Sequence, residues 1–215
     1  MSSVNPHFTF QYSQPEEYRF SHDSVFLARR VFELIKVEEV SAIQGLDLCA
    51  GSGVIGLDFI FHCQKEWNQA PRSFDFLEIQ DVYIPHFEKN LQTLNASTHC
   101  QMLVRNYADL LNEHFQGKYN LILSNPPYFR TGQGKLSPSE FKNRCRFFID
   151  SDFPTLIQGI ANALAPNGSA YILLRDLEEH GWNPFKEAKQ MLSSVCEIQS
   201  LADIRGTGLV HIKKA

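Results

Sequence analysis

The sequence predicts an α/β fold: a doubly wound, mostly parallel seven-stranded sheet with an antiparallel last strand and a short N-terminal hairpin and helix extension. Three observations predict it. Short apolar runs alternate with amphipathic stretches through most of the chain, a pattern that needs crossover connections and therefore parallel strands. A glycine-rich turn follows the first of these runs and opens a helical stretch. The last two runs are joined by a turn-rich link too short to hold a crossover helix, so they should pair antiparallel.

In chain order, Phe8-Thr9-Phe10-Gln11-Tyr12 alternates aromatic and polar residues, Gln14-Pro15-Glu16-Glu17 turns, and Tyr18-Arg19-Phe20 resumes, which reads as a hairpin. From Ser21 to about Val37 the residues Val25, Phe26, Leu27, Val31, Phe32, Leu34 and Ile35 recur at helical spacing, with Ser21 or Ser24 as the cap. Strands are expected over 45–49, 73–77, 100–104, 120–124, 169–174, 195–201 and 209–213. Helices are expected over about 54–63, 82–94, 153–164 and 184–194. Residues 1–40 then form a hairpin and helix packed on the core, and 41–215 a single globular domain.

The 215 residues, 43% hydrophobic and 20% charged, suffice for one core without disulfide or metal staples. A net charge of −4 argues against a wholesale polyanion binder and leaves room for a local basic patch. No apolar run reaches the ~18–20 residues of a membrane span. The opening MSSVNPHFTFQYS has neither the basic nor the apolar region of a secretory leader, so a cytoplasmic protein without a membrane partner is expected, and a monomer is favoured. Five dispersed cysteines and eight scattered histidines form no CxxC, HxH or HExxH grouping, so no metal site is expected.

Leu46-Asp47-Leu48-Cys49-Ala50-Gly51-Ser52-Gly53-Val54-Ile55-Gly56 fits GxGxxG between a strand and a helix, the context in which a backbone turn approaches a ligand closely. A ligand-free tight turn is the plain alternative. Glu78, at the end of the second strand, suits the two hydroxyls of a ribose. Asp47, just before the glycines, would repel a pyrophosphate and attract a cationic amino group. S-adenosylmethionine (SAM) combines a ribose, no phosphate and a cationic amino acid end. The bland readings are a helix or turn cap for Asp47 and a solvated strand end for Glu78.

The fourth strand runs into Asn125-Pro126-Pro127-Tyr128-Phe129. Two prolines fix two φ angles and remove two donors, so carbonyl oxygens stand exposed in a stiff loop. A planar amino group has two N–H bonds to satisfy. Asn125 Oδ1 and the Pro126 carbonyl can accept them while Tyr128 stacks on the ring, with Pro127 stiffening the loop.

These motifs resemble the class I SAM-dependent methyltransferases that modify planar amino nitrogens, among them adenine-N6 nucleic-acid enzymes and the glutamine-N5 methyltransferases of release factors. The resemblance covers most of the chain from Arg19 onward and implies their Rossmann-like sheet and SAM as cofactor. Within the class, Phe8–Gln11 and Arg19-Phe20-Ser21-His22-Asp23-Ser24-Val25-Phe26-Leu27 are similar to the N-terminal pattern of the bacterial adenine-N6 methyltransferases acting on position 37 of valine tRNA. Asn143-Arg144-Cys145-Arg146 resembles a basic element of that family. About forty-five residues precede the glycine turn, where glutamine methyltransferases carry a longer helical substrate domain. Arg146 in place of a histidine, Ser21-His22 in place of Gly-Thr, and the closing segment Ile204–Leu209 depart from the family pattern.

The resemblance implies catalytic roles for Asn125, Pro126, Pro127 and Tyr128. It places SAM against Asp23, Asp47, Gly51, Gly53, Glu78 and Asn125, with either Asn106 or Asp109 near the adenine; a plain helix cap is the alternative for that pair. Substrate contacts are expected from Tyr128, Phe129, Arg130, Lys135, Arg144 and Arg146. The segment 130–146 holds five basic residues against Glu140 alone, suits a mobile lid, and could engage the phosphates of a nucleic acid, tRNA first; a solvated surface loop is its bland reading. The implied reaction is methyl transfer from SAM to adenine N6 of RNA. Protein glutamine-N5 and ribosomal RNA guanine-N2 methylation are the rivals, followed by a nicotinamide-dependent oxidoreductase and a non-catalytic SAM-binding protein.

Overall fold

The apolar runs fold into one seven-stranded sheet. The computed structural model describes residues 11–215. Its strands are β1 (Gln44–Leu48), β2 (Ser73–Glu78), β3 (His99–Val104), β4 (Tyr119–Ser124), the two-residue β5 (Phe129–Arg130) and β6 (Phe147–Phe148), β7 (Leu164–Leu174), β8 (Cys196–Ser200) and β9 (Gly208–Lys214). Its α-helices are α1 (His22–Leu34), α2 (Val54–Trp67), α3 (Ile84–Leu94), α4 (Glu140–Arg146), α5 (Phe153–Ala163) and α6 (Pro184–Leu192). The spatial order is β3-β2-β1-β4-β7-β9-β8, with β5 and β6 a separate pair. From β3 to β7 the neighbours are parallel, while β9 runs antiparallel to both β7 and β8. This is the doubly wound sheet with a reversed last strand that the alternation predicts.

A parallel sheet covered on both faces needs apolar residues at consecutive positions. In β4, Leu121 and Leu123 join the cluster of α1, α2 and α3, built on Leu27, Val31, Ile55, Phe59 and Phe87. Ile122 joins the opposite cluster, with Leu156, Ile157 and Ile160 of α5 and Leu192 of α6. Among the described residues no helix is long and apolar enough to cross a membrane.

Several boundaries differ from the sequence reading for identifiable reasons. Phe8, Thr9 and Phe10 lie outside the described residues. The rest of the expected hairpin, through Tyr18-Arg19-Phe20, forms no strand. Side chains satisfy its polar groups instead: the Tyr12 hydroxyl donates to Asp58, Ser13 N–H donates to Asn90 Oδ1 at 2.6 Å, and Phe20 N–H to Gln14 Oε1 at 3.0 Å. Helix α2 runs past Cys63 to Trp67, whose ring packs on Phe32 with centroids 4.1 Å apart. Strand β7 begins at Leu164 but loops out of the ladder before Ser169. The expected lid is partly helical, since Ser139 Oγ caps α4 by accepting from Lys142 N–H.

Gly56 shows why α2 lies so close to the sheet. A Cβ there would stand 2.6 Å from Phe76 Cε1 and 3.0 Å from Phe74 Cε1, inside van der Waals contact. Gly56→Ala is therefore expected to destabilise the fold by ~1–3 kcal/mol through overpacking, read as a lower urea midpoint at unchanged slope. An unchanged midpoint would mean that the two rings yield freely.

Candidate functional site

Parallel register brings three strand ends to one level. Leu48 of β1 is opposite Leu77 of β2 and Ser124 of β4, so Cys49–Gly51, Glu78 and Asn125 emerge side by side. Short bonds tie these ends together: Ser124 Oγ–H donates to the Leu48 carbonyl at 2.7 Å, and Ala50 N–H to the Leu77 carbonyl at 3.0 Å. Ligands bind at this edge of a doubly wound sheet, and a cavity of about 410 Å³ opens there. Cys49 and Gly51 take left-handed φ values of 60° and 54°, which turn the chain sharply out of β1 along the cavity wall.

Of the residues singled out by sequence, Asp23, Gly51, Glu78, Asn125, Pro126, Pro127, Tyr128, Phe129, Arg144 and Arg146 line this cavity. Glu78 is only 7% exposed. Its Oε2 accepts Gly51 N–H and its Oε1 accepts Gln80 N–H, both at 2.9 Å. Burial pushes its carboxyl up from the ordinary value, and these backbone donors pull it partly back. Each oxygen keeps acceptor capacity for a ligand hydroxyl. Asp23, at the start of α1, pairs with Arg205 at 3.2 Å.

The Asn125 amide is held at both ends. Its Nδ2 donates to Ser24 Oγ at 3.0 Å, and its Oδ1 accepts the Tyr128 hydroxyl at 2.6 Å. Tyr128 N–H donates to the Arg146 carbonyl at 3.1 Å, bracing the loop against the end of α4. Burial raises the Tyr128 phenol above its ordinary value, which keeps it a neutral donor.

Other expected site residues lie elsewhere. Asp47 is fully buried behind the turn and does not line the cavity; its Oδ2 accepts Gly56 N–H at 2.8 Å in the first turn of α2. Gly53 is the left-handed cap of α2, and a Cβ there would meet Phe87 of α3 at 2.8 Å, so both its backbone conformation and its packing constrain it; it does not line the cavity. Asn106 caps the short turn after β3 by accepting Ala108 N–H, and Asp109 pairs with Arg105 at 3.6 Å; neither lines the cavity. Arg130 is turned onto α6, its Nη2 donating to both Glu187 carboxylate oxygens at 2.5 and 2.8 Å and its guanidinium lying 4.1 Å from the Trp182 ring centroid. Lys135 is exposed and outside the lining. Arg144 lines the cavity in a bidentate pair with Asp150, so two of the five basic residues of 130–146 already face carboxylates.

Sequence reasoning missed Ser24, Gln80, Tyr83, Tyr107, Cys145 and Arg175, which also line the cavity. Gln80 follows Glu78 closely, and Arg175 directly follows β7, so their strand-end positions were the available signal. Ser24 carried helix capping and its place in the Arg19–Leu27 run beside Asp23, and neither pointed to a contact with Asn125. Among the described residues no group of three or more His, Cys, Asp or Glu is arranged to hold a metal.

The model of the family described as "Conserved hypothetical protein 95" matches residues 11–137. A "tRNA1(Val) (adenine(37)-N6)-methyltransferase" of Bacteroides fragilis is 24% identical over 134 residues, 62% of this chain and 53% of the relative, so the chain spans about half that protein's length. A "Release factor glutamine methyltransferase" of Bordetella pertussis is 27% identical over 197 residues, 85% of this chain and 67% of the relative. Among solved structures, a T. thermophilus 16S rRNA N2 methyltransferase in complex with AdoMet and guanosine superposes with a TM-score of 0.65 at 16% identity, over 93% of this chain and 45% of that one. That likeness is one of fold.

Asp47 provides a test of the buried electrostatics behind the turn. Among the described residues its Oδ1 has no hydrogen-bond partner, and burial pushes the carboxyl well above the ordinary value, with the Gly56 bond opposing and Glu78 adding to the rise. A carboxyl whose pKa rises on folding contributes most below its unfolded value and loses that contribution as pH rises through the folded one. Asp47→Asn keeps an acceptor for Gly56 N–H and cannot ionise. The stability of the variant relative to wild type is expected to improve as pH rises above the ordinary carboxylate range in urea titrations. A difference independent of pH would show that ionisation of Asp47 does not burden the fold.

Proposed function

We propose that this chain, which belongs to the Conserved hypothetical protein 95 family, is a SAM-dependent N-methyltransferase acting on a planar amino group, adenine N6 of RNA and of tRNA first. One observation carries the reading: the Asn125-Pro126-Pro127-Tyr128 loop and the buried Glu78 carboxylate line one cavity. Its volume lies within the range of small-molecule sites.

The residues fit SAM. Glu78 offers two oxygens to the ribose hydroxyls, and both are aimed by backbone donors. Asp23 lies on the same cavity for a cationic amino group, after exchange from Arg205. Asp47 holds the glycine turn from behind through Gly56 rather than from the cavity side. Bound SAM supplies an electrophilic methyl group on sulfur. Asn125 Oδ1 keeps one lone pair beside the Tyr128 hydroxyl, and with the Pro126 carbonyl it accepts the two N–H bonds of the target amine. The protein's contribution is position: a nitrogen held by two acceptors is aimed along one line. Phe129, Phe147 and Phe148 supply apolar wall to that end of the cavity and help exclude water.

The tRNA target draws support from the Bacteroides fragilis relative and from Arg144 and Arg146 at the cavity. A second reading, methylation of a protein glutamine, is favoured by the Bordetella pertussis relative, whose alignment extends over more of the chain. The two share the pocket chemistry and differ in what approaches it.

Radiolabelled SAM offered with unmodified total tRNA, ribosomal RNA, DNA and a release factor separates them. Label recovered as N6-methyladenosine from tRNA is the expected result; label in the release factor keeps the pocket chemistry and changes the substrate. No label in any arm would overturn the proposal. In the labelled reaction, Asn125→Ala is expected to lower turnover by ~10²-fold or more through misplacement, with SAM affinity held within about threefold. Glu78→Ala is expected to weaken SAM binding by ~10–100-fold, the loss of one or two charged hydrogen bonds, in calorimetric titration where NAD gives no heat. Heat from NAD and none from SAM would favour the oxidoreductase.

A further inference from the structure

The N-terminal helix reaches the Asn125 loop through one side chain. Ser24 lies in the first turn of α1 and is 6% exposed, and its Oγ accepts Asn125 Nδ2–H at 3.0 Å across a separation of 101 residues. We propose that Ser24 is a positioning residue for methyl transfer: it pins the Nδ2 end of the Asn125 amide so that Oδ1 faces the target amine. The inference rests on the function proposed above and adds α1 to the machinery that performs it.

A primary amide has one acceptor end and one donor end, and its use as an acceptor for an amine requires that the donor end be engaged elsewhere. Tyr128 reaches only Oδ1, and its contact lies three residues along the same loop, so it moves with the loop it would have to fix. Ser24 belongs to a different element. Its helix is anchored by Val25, Leu27, Ala28 and Val31, all with no exposed surface, and Ser24 N–H donates to the Ser21 carbonyl at 3.2 Å. The serine is therefore a fixed point against which the amide plane is set. Without it, the half-buried Nδ2 loses its hydrogen-bond partner, and among the described residues Tyr128 is the remaining side chain bonded to the amide.

The test measures methyl transfer to whichever of total tRNA, ribosomal RNA or release factor accepts label, with SAM binding measured calorimetrically on the same proteins. Ser24→Ala is expected to lower kcat by ~10–100-fold, with the KM for SAM and its Kd within about twofold of wild type. Ser24→Thr, which keeps a hydroxyl, is expected to recover most of the lost turnover. In an Asn125→Ala background, Ser24→Ala should add less than about a twofold loss, because the serine acts through the amide. Turnover unchanged by Ser24→Ala, or a full further loss on top of Asn125→Ala, would overturn the role of Ser24 while leaving the proposed function standing. A parallel fall of kcat, SAM affinity and Tm would also overturn it, as the mark of a merely structural serine. Asn125→Ala without effect on turnover would instead remove the underlying reading, and this inference with it.

Discussion

The parallel register of β1 between β2 and β4 is the constraint on which the site depends. Because Leu48 is level with both Leu77 and Ser124, the next residue or two of each strand must emerge at one height on one edge of the sheet. That single condition places the left-handed turn at Cys49–Gly51, the Glu78 carboxylate and the Asn125 amide around one space. A slip of one residue in either pairing would turn the alternating side chains to opposite faces. Leu121 and Leu123 would then exchange sides with Ile122, against two differently shaped cores. The packing of the helices thus enforces the alignment that the cavity requires.

Around that cavity the molecule keeps two acids out of water. Asp47 and Glu78 are 0% and 7% exposed, and each is met by backbone N–H groups from the glycine turn or its neighbours. A buried carboxylate without such donors would be strongly unfavourable. The same bonds also fix the turn, since Gly51 is held through Glu78 and Gly56 through Asp47. Electrostatic cost and geometric control come from the same pairs of atoms.

Much of this was readable in the sequence, and the limits are physical. The strands were legible because burial on both faces demands consecutive apolar residues, as in Leu121-Ile122-Leu123. The loop at Asn125 was legible because two adjacent prolines leave little conformational choice. The direction in which Asp47 points was not, because strand-end side chains alternate and a one-residue uncertainty reverses the face. Arg130 read as a free charge because its partners Glu187 and Trp182 lie more than fifty residues away. Of the aromatics that suggested a hairpin, Tyr12 from its first half and Phe20 from its second meet edge to face, 5.6 Å apart, and both pack against Val25 and Val54. Ser24 looked like any helix-cap serine, and its bond to Asn125 exists only in three dimensions.

The reversed strand has a consequence for assembly. Among the described residues β8 pairs with β9 alone, and β9 fills the space between β8 and β7. The position of β8 in the sheet therefore does not exist until β9 has arrived, although β8 comes earlier in the chain. The β8–β9 ladder is local, closed by the short turn at Ile204–Thr207, whereas the β7–β9 ladder joins Ser169 to Lys213. Loop closure favours the nearby pairing over the distant one. The economical route is for the two strands to zip into a hairpin and then dock on β7 as a unit, completing the sheet from its far margin in one step.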